Sequence, residues 1–157
     1  MGCGVNDVRF LDMNGDGLDD LACVDKKGNL FLSVNQGDGD RSKGKPPTFK
    51  SKGKIKDSET NKRERVVLGD IDGDGRGDYG IIIDDPYEGP DGTEYVYTHV
   101  DFWRNGGTGD VPKYWQFLGT RQNAWDRGDV RMEDINGDVS CGSHPPNEHF
   151  FYDGLSR

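Results

Sequence analysis

Residues 12–20 read Asp12-Met13-Asn14-Gly15-Asp16-Gly17-Leu18-Asp19-Asp20, and residues 70–78 read Asp70-Ile71-Asp72-Gly73-Asp74-Gly75-Arg76-Gly77-Asp78. The same acidic loop is written twice. An acid or amide stands at positions 1, 3, 5 and 9 of each copy, with glycine at positions 4 and 6. Oxygen-bearing side chains at alternate positions, on a backbone that glycine lets fold tightly, form the donor set that Ca²⁺ takes. The backbone carbonyl of position 7, Leu18 or Arg76, completes the expected cage. A third copy starts at Asp134-Ile135-Asn136-Gly137-Asp138, but its ninth position is Gly142, which carries no ligand.

An EF-hand reading of these loops fails on two counts. It needs a bidentate glutamate at position 12 and a helix on each side. Position 12 is Cys23 in the first loop and Ile81 in the second, and the flanking residues suit strands.

Short apolar segments precede each loop: Val8–Leu11, Val66–Gly69 and Val130–Glu133. Others follow the first two at Leu21–Val24 and Tyr79–Ile83. A turn at Lys27-Gly28-Asn29 then leads to Leu30–Val34, a hairpin signature. In the second unit, a turn at Glu88–Gly92 leads to Tyr95–Trp103. Glycine-rich turns and a last strand follow, near Thr48–Lys50 and Tyr114–Leu118. The loops start 58 and 64 residues apart. About four strands per repeat suit a propeller blade or a similar antiparallel unit. The expected organisation is a first repeat over 1–60, a second over 61–126, the start of a truncated third over 127–138, and an irregular tail over 139–157. The expected fold is all-β, a partial β-propeller of roughly two to three four-stranded antiparallel blades with calcium-binding loops.

The composition agrees with a turn-rich repeat. Of 157 residues, 24 are glycine and only 31% are hydrophobic, which argues against one large core. The net charge of −9 argues against general nucleic-acid binding. Two bound divalent ions would cancel four of those nine charges, so the acidity reads as a metal requirement. No segment is apolar enough to span a membrane, and the N-terminus has no apolar signal-peptide core. Cys3, Cys23 and Cys141 are too few for a disulfide framework, and Cys23 reads as a small buried side chain in a strand.

On residues 8–21 and 67–79 the chain resembles the FG-GAP/VCBS repeats, the integrin-like calcium repeats. The resemblance implies propeller blades with Ca²⁺ held between the first two strands of each. It implies side-chain ligands Asp12, Asn14, Asp16 and Asp20, with Leu18 through its carbonyl. In the second loop it implies Asp70, Asp72, Asp74 and Asp78, with Arg76 through its carbonyl. Asp134, Asn136 and Asp138 match only in part. With Phe102-Trp103-Arg104-Asn105-Gly106, an aromatic strand entering an Asn-Gly turn, the chain is also similar to repeat modules beside secreted fungal esterases and glycoside hydrolases. That implies an extracellular accessory role in binding carbohydrate or protein. Two repeats and a start do not close a propeller, so the expectation is a fragment, a truncated product or one part of an assembly.

Other motifs carry less. No Gly-x-Ser-x-Gly or other nucleophile turn occurs, so no catalytic residue is expected. The rival reading is a piece of a larger secreted hydrolase whose catalytic domain lies elsewhere. Arg76-Gly77-Asp78 and Arg127-Gly128-Asp129 spell an adhesion tripeptide, but Asp78 is already needed in the loop. Gly39–Lys45 approaches a phosphate loop, yet Pro46 stands where Ser or Thr is required. Lys50, Lys52, Lys54 and Lys56 alternate, which puts them on one face of an edge strand. Trp103, Trp115 and Trp125, with Tyr95, Tyr97 and Tyr114, form either a sugar-stacking surface or packing between blades, and the aliphatic-poor composition favours packing. Cys141, His144 and His149 lack a fourth zinc ligand.

Overall fold

A computed structural model describes residues 3–123, 131–133 and 142–144. Strands β1 (Val8–Leu11), β2 (Asp20–Val24), β3 (Leu30–Asn35) and β4 (Phe49–Lys56) form one four-stranded sheet in sequence order. Strands β5 (Val66–Gly69), β6 (Asp78–Glu88), β7 (Glu94–Gly106) and β8 (Tyr114–Asn123) form a second. Every pairing in both is antiparallel. Between these strands the described chain has only three single-turn 3₁₀ segments and no α-helix. No helix among the described residues is long and apolar enough to cross a membrane.

A third hairpin repeats the start of the pattern. Strand β9 (Arg131–Glu133) pairs with β10 (Gly142–His144). The closing pairs are Leu11 with Asp20, Gly69 with Asp78, and Glu133 with Gly142, so eight residues are looped out each time. Gly142 therefore holds the register position of Asp20 and Asp78. The segment 139–157 was expected to be irregular, and Gly142–His144 within it is a strand.

The main core lies between the two four-stranded sheets. Met13, Ala22, Val24, Leu30, Leu32 and Val34 of the first unit pack with Tyr79 and Ile81 of the second. Ile82, Val100 and Phe102 are buried in a second cluster, with Val67, Ile71 and Leu118 beside them. Neighbours along β6 thus enter different clusters, which explains the unbroken apolar run Ile81-Ile82-Ile83: both faces of the strand are covered.

Trp103 and Trp115 belong to the packing between repeats. Both meet Tyr79 edge-on, with ring centres 6.0 and 6.3 Å away. Lys56, only 7% exposed, lies within 5.6 Å of the ring centres of Tyr79, Trp103 and Trp115 and pairs with Glu59 at 2.8 Å. The desolvated ammonium is held by aromatic faces and one carboxylate. Tyr95, Tyr97 and Tyr114 are instead exposed, and Trp125 lies outside the described residues.

Two expectations need correction. The four lysines do not share a face, because β4 carries register shifts that leave Lys52 and Ile55 without direct partners. Each extra residue reverses the alternation beyond it. Cys23 is buried, but not as a free thiol: it forms a disulfide with Cys3, with Cα atoms 6.2 Å apart. The turn Val5–Asp7 and the pairing of Val8 with Cys23 bring residue 3 back to β2.

Glycine at position 8 of the second loop follows from its neighbour in space. Gly77 N–H donates to the Asp12 carbonyl at 2.7 Å. A Cβ there would overlap the Leu11 side chain and come within 2.9 Å of Met13 Sδ. The first loop has Asp19 at this position, so the loop itself does not demand glycine. Gly77→Ala is expected to lower unfolding free energy by about 1–3 kcal/mol through overpacking, measured by urea denaturation. A change within error of zero would mean that the two sheets separate easily.

Candidate metal centre

Each loop is shaped by its first aspartate. Asp12 Oδ1 accepts from the backbone N–H of Asn14, Gly15 and Asp16, and Oδ2 from Gly17 at 2.6 Å. Asp70 repeats this: Oδ1 accepts from Gly73 and Asp74, and Oδ2 from Gly75 at 2.8 Å. Gly15, Gly17, Gly73 and Gly75 all have positive φ, the conformation that turns these amides inward. Positions 3 and 5 of the first loop are linked, with Asn14 Nδ2 donating to Asp16 Oδ2 at 3.0 Å.

Position 9 ties the loop to the sheet. Asp20, fully buried, accepts from the Met13 N–H at 3.1 Å and the Asn35 N–H at 2.8 Å. Asp78, 1% exposed, accepts from the Ile71 N–H at 2.9 Å and the Asn105 N–H at 2.8 Å. Asn35 and Asn105 are therefore equivalent residues at the end of the third strand of each unit. Asn35 Nδ2 donates to the Asp19 carbonyl, and Asn105 Nδ2 to the Gly77 carbonyl. Sequence reasoning missed this pair. The signal was present in Val34-Asn35-Gln36-Gly37 and Arg104-Asn105-Gly106-Gly107, each an asparagine just before a glycine turn.

The second unit also grips the first loop. Consecutive carbonyls of Asp12, Met13 and Asn14 accept from Gly77 N, Asn105 Nδ2 and Arg76 Nη1, each at 2.7 Å. The Tyr79 hydroxyl donates to the Gly28 carbonyl, and Trp115 Nε1 to that of Ile55. Arg76 and Asp78 are buried, so the first Arg-Gly-Asp is part of this joint and not a displayed motif. The second, Arg127–Asp129, lies outside the described residues. So do Asp134, Asn136 and Asp138, together with Cys141 and His149.

Carboxylate oxygens of Asp70, Asp72 and Asp78 lie within 4.8 Å of one another. Burial pushes the Asp78 carboxyl up to about 7, against the lowering effect of the Asn105 and Ile71 amides, with Asp72 and Asp74 adding repulsion. Burial also raises Asp70 and Asp72, again with neighbouring carboxylates contributing. Asp20 is raised by burial in the first loop. Asp72 Oδ1 is buried and has no hydrogen-bond partner. An orphaned oxygen beside two further carboxylates, all hard donors, fits a divalent cation. In the first loop Asn14 takes the place of Asp72, so its expected ligand set has one carboxylate fewer.

Arg104 separates the two loops. Its Nε lies 2.8 Å from Asp72 Oδ2, and its Nη2 lies 2.7 Å from Asp74 Oδ2. The residue before the equivalent Asn35 is Val34, buried in the core. The second loop thus carries a tethered cation that competes for two expected ligands. Arg104→Gln is expected to tighten metal binding at the second loop by roughly tenfold while leaving the first unchanged, read as two dissociation constants by calorimetry. Weaker or unchanged binding would mean that Arg104 does not oppose the ion.

Two four-stranded antiparallel sheets, each opening on the same acidic loop, define a repeat β-protein. Residues 12–81 match the sequence model of the FG-GAP-like repeat. That segment runs from the first acidic loop through the second. No curated protein and no solved structure matches it. FG-GAP-like repeats fit propeller blades, and both sheets have the blade-type order of four sequential strands.

Proposed function

We propose that the chain is a calcium-stabilised, non-catalytic binding module of propeller blades that works outside the cell. The buried, unpartnered Asp72 oxygen beside Asp70 and Asp78 carries this reading. Ca²⁺ would be held by Asp70, Asp72, Asp74, Asp78 and the Arg76 carbonyl in one loop. Asp12, Asn14, Asp16, Asp20 and the Leu18 carbonyl would hold it in the other. The ion offsets the repulsion among clustered carboxylates, and so fixes the turn between two strands. Its role is structural, and binding is left to surfaces of the blades, toward protein or glycan. The Cys3–Cys23 disulfide supports an oxidising, extracellular setting.

The test is thermal unfolding followed by circular dichroism, with calcium and with chelator. The unfolding temperature is expected to rise with calcium concentration. Equal temperatures under both conditions would remove calcium from the account.

A further inference from the structure

Strands β6 and β7 outrun their sheet. Strand β5 pairs with β6 only as far as Ile81, and β8 with β7 only as far as Thr98. Beyond these points β6 and β7 continue as a two-stranded hairpin, closing at Glu88 opposite Glu94. Both outer edges of this extension lack a strand partner among the described residues. The corresponding hairpin of the first unit closes at Val24 opposite Leu30 and has no such extension.

The extension carries a tyrosine cluster. Tyr87 lies opposite Tyr95, and Tyr97 follows on the same face. The ring centres of Tyr87 lie 6.3 Å from Tyr95 and 5.7 Å from Tyr97. All three are 45–46% exposed. From Ile81 to Asp101 the chain has six carboxylates and no lysine or arginine. Arg65 pairs with Asp84, and His99 with Asp85. Among the described residues no basic side chain forms an ion pair with Glu88, Asp91 or Glu94. Glu88 and Glu94 oppose each other directly, an arrangement that costs stability unless a cation intervenes.

We propose that this end of the β6–β7 hairpin docks an extended segment of a partner polypeptide that bears lysine or arginine. Cationic side chains would relieve the Glu88–Glu94 repulsion and lie over tyrosine faces. Strand edges that are unpaired among the described residues offer backbone groups that an extended polypeptide pairs with. A neutral sugar relieves no charge and leaves those edges unused. Polyanions and a second copy of the same acidic hairpin are repelled. The proposal names a partner for the binding role given above, and so rests on that reading.

The test uses calcium-saturated protein and a fluorescent peptide of alternating lysine and threonine, read by anisotropy. A glutamate–threonine peptide and a neutral cello-oligosaccharide serve as comparators. The lysine peptide is expected to bind, with affinity falling as salt rises. Glu88→Gln with Glu94→Gln, and Tyr87→Ala with Tyr95→Ala, are each expected to weaken it on the order of tenfold. Calcium stoichiometry in both variants should match the parent, because these residues lie far along the strands from the acidic loops. Equal binding of the two peptides, or unchanged affinity in both variants, overturns the proposal. So does oligosaccharide binding that the tyrosine variant abolishes while the lysine peptide fails to bind. Peptide failure with calcium binding intact removes the docking surface alone. Calcium failure with peptide binding intact removes the metal reading alone.

Discussion

Asp78→Ala is expected to cost about 2–5 kcal/mol of unfolding free energy in calcium. The carboxylate is buried and accepts the N–H groups of Ile71 and Asn105, one from the loop and one from β7. Alanine leaves both donors without a partner, at roughly 1–3 kcal/mol each. It also removes an expected ligand, so the stabilisation by the second ion is lost. In chelator the cost should be smaller, because without the ion the buried carboxylate is itself unfavourable at neutral pH. Urea denaturation of parent and variant, each with calcium and with chelator, measures both effects. The same small loss in both conditions, under about 1 kcal/mol, would mean that Asp78 is neither a structural acceptor nor a ligand.

The second large effect is a reversal of pH dependence by calcium. Burial raises the Asp78 carboxyl from 3.8 to about 7 in the folded protein. Between those values the folded state holds a proton that the unfolded state has released. Stability from this group is therefore complete below about pH 4 and is lost as pH rises through about 7. The metal-free protein should weaken over that window, by on the order of a few kcal/mol. Asp20, Asp70 and Asp72, also raised by burial, act in the same direction. Calcium binds the ionised carboxylates, so its stabilising effect should grow over the same window. At a free concentration a hundredfold above the dissociation constant, each site adds about 2.7 kcal/mol. Melting temperatures from pH 4 to 8, with calcium and with chelator, should diverge toward high pH. Parallel curves would contradict the account.

The loops and the strands bordering them were legible because their information is local. Ligand-type side chains at alternate positions, glycines at positions 4 and 6, and short apolar runs on either side need no knowledge of distant contacts. The glycine at position 9 of the third copy was legible for the same reason, and its pairing with Glu133 puts Gly142 in the register of Asp20 and Asp78. What stayed hidden depends on tertiary context. Nothing local to Asn105 or Gly77 says that they clasp the other loop's backbone. The strand after the second loop was read only as Tyr79–Ile83, yet β6 runs on through Pro86 to Glu88 because β7 pairs with it from Tyr79 to Glu88. The alternation of lysines in β4 was real in the sequence and was undone by bulges. The Cys3–Cys23 bridge depends on a single turn at Val5–Asp7 that folds the N-terminal segment back.

The central claim is that two loops of this chain, and not the third, hold calcium. Titration calorimetry on chelator-stripped protein counts the ions directly, and the Asp70→Ala and Asp134→Ala variants assign them. The account predicts two ions per chain in the parent, one in Asp70→Ala, and two in Asp134→Ala. No binding, or equal stoichiometry in the two variants, would contradict it.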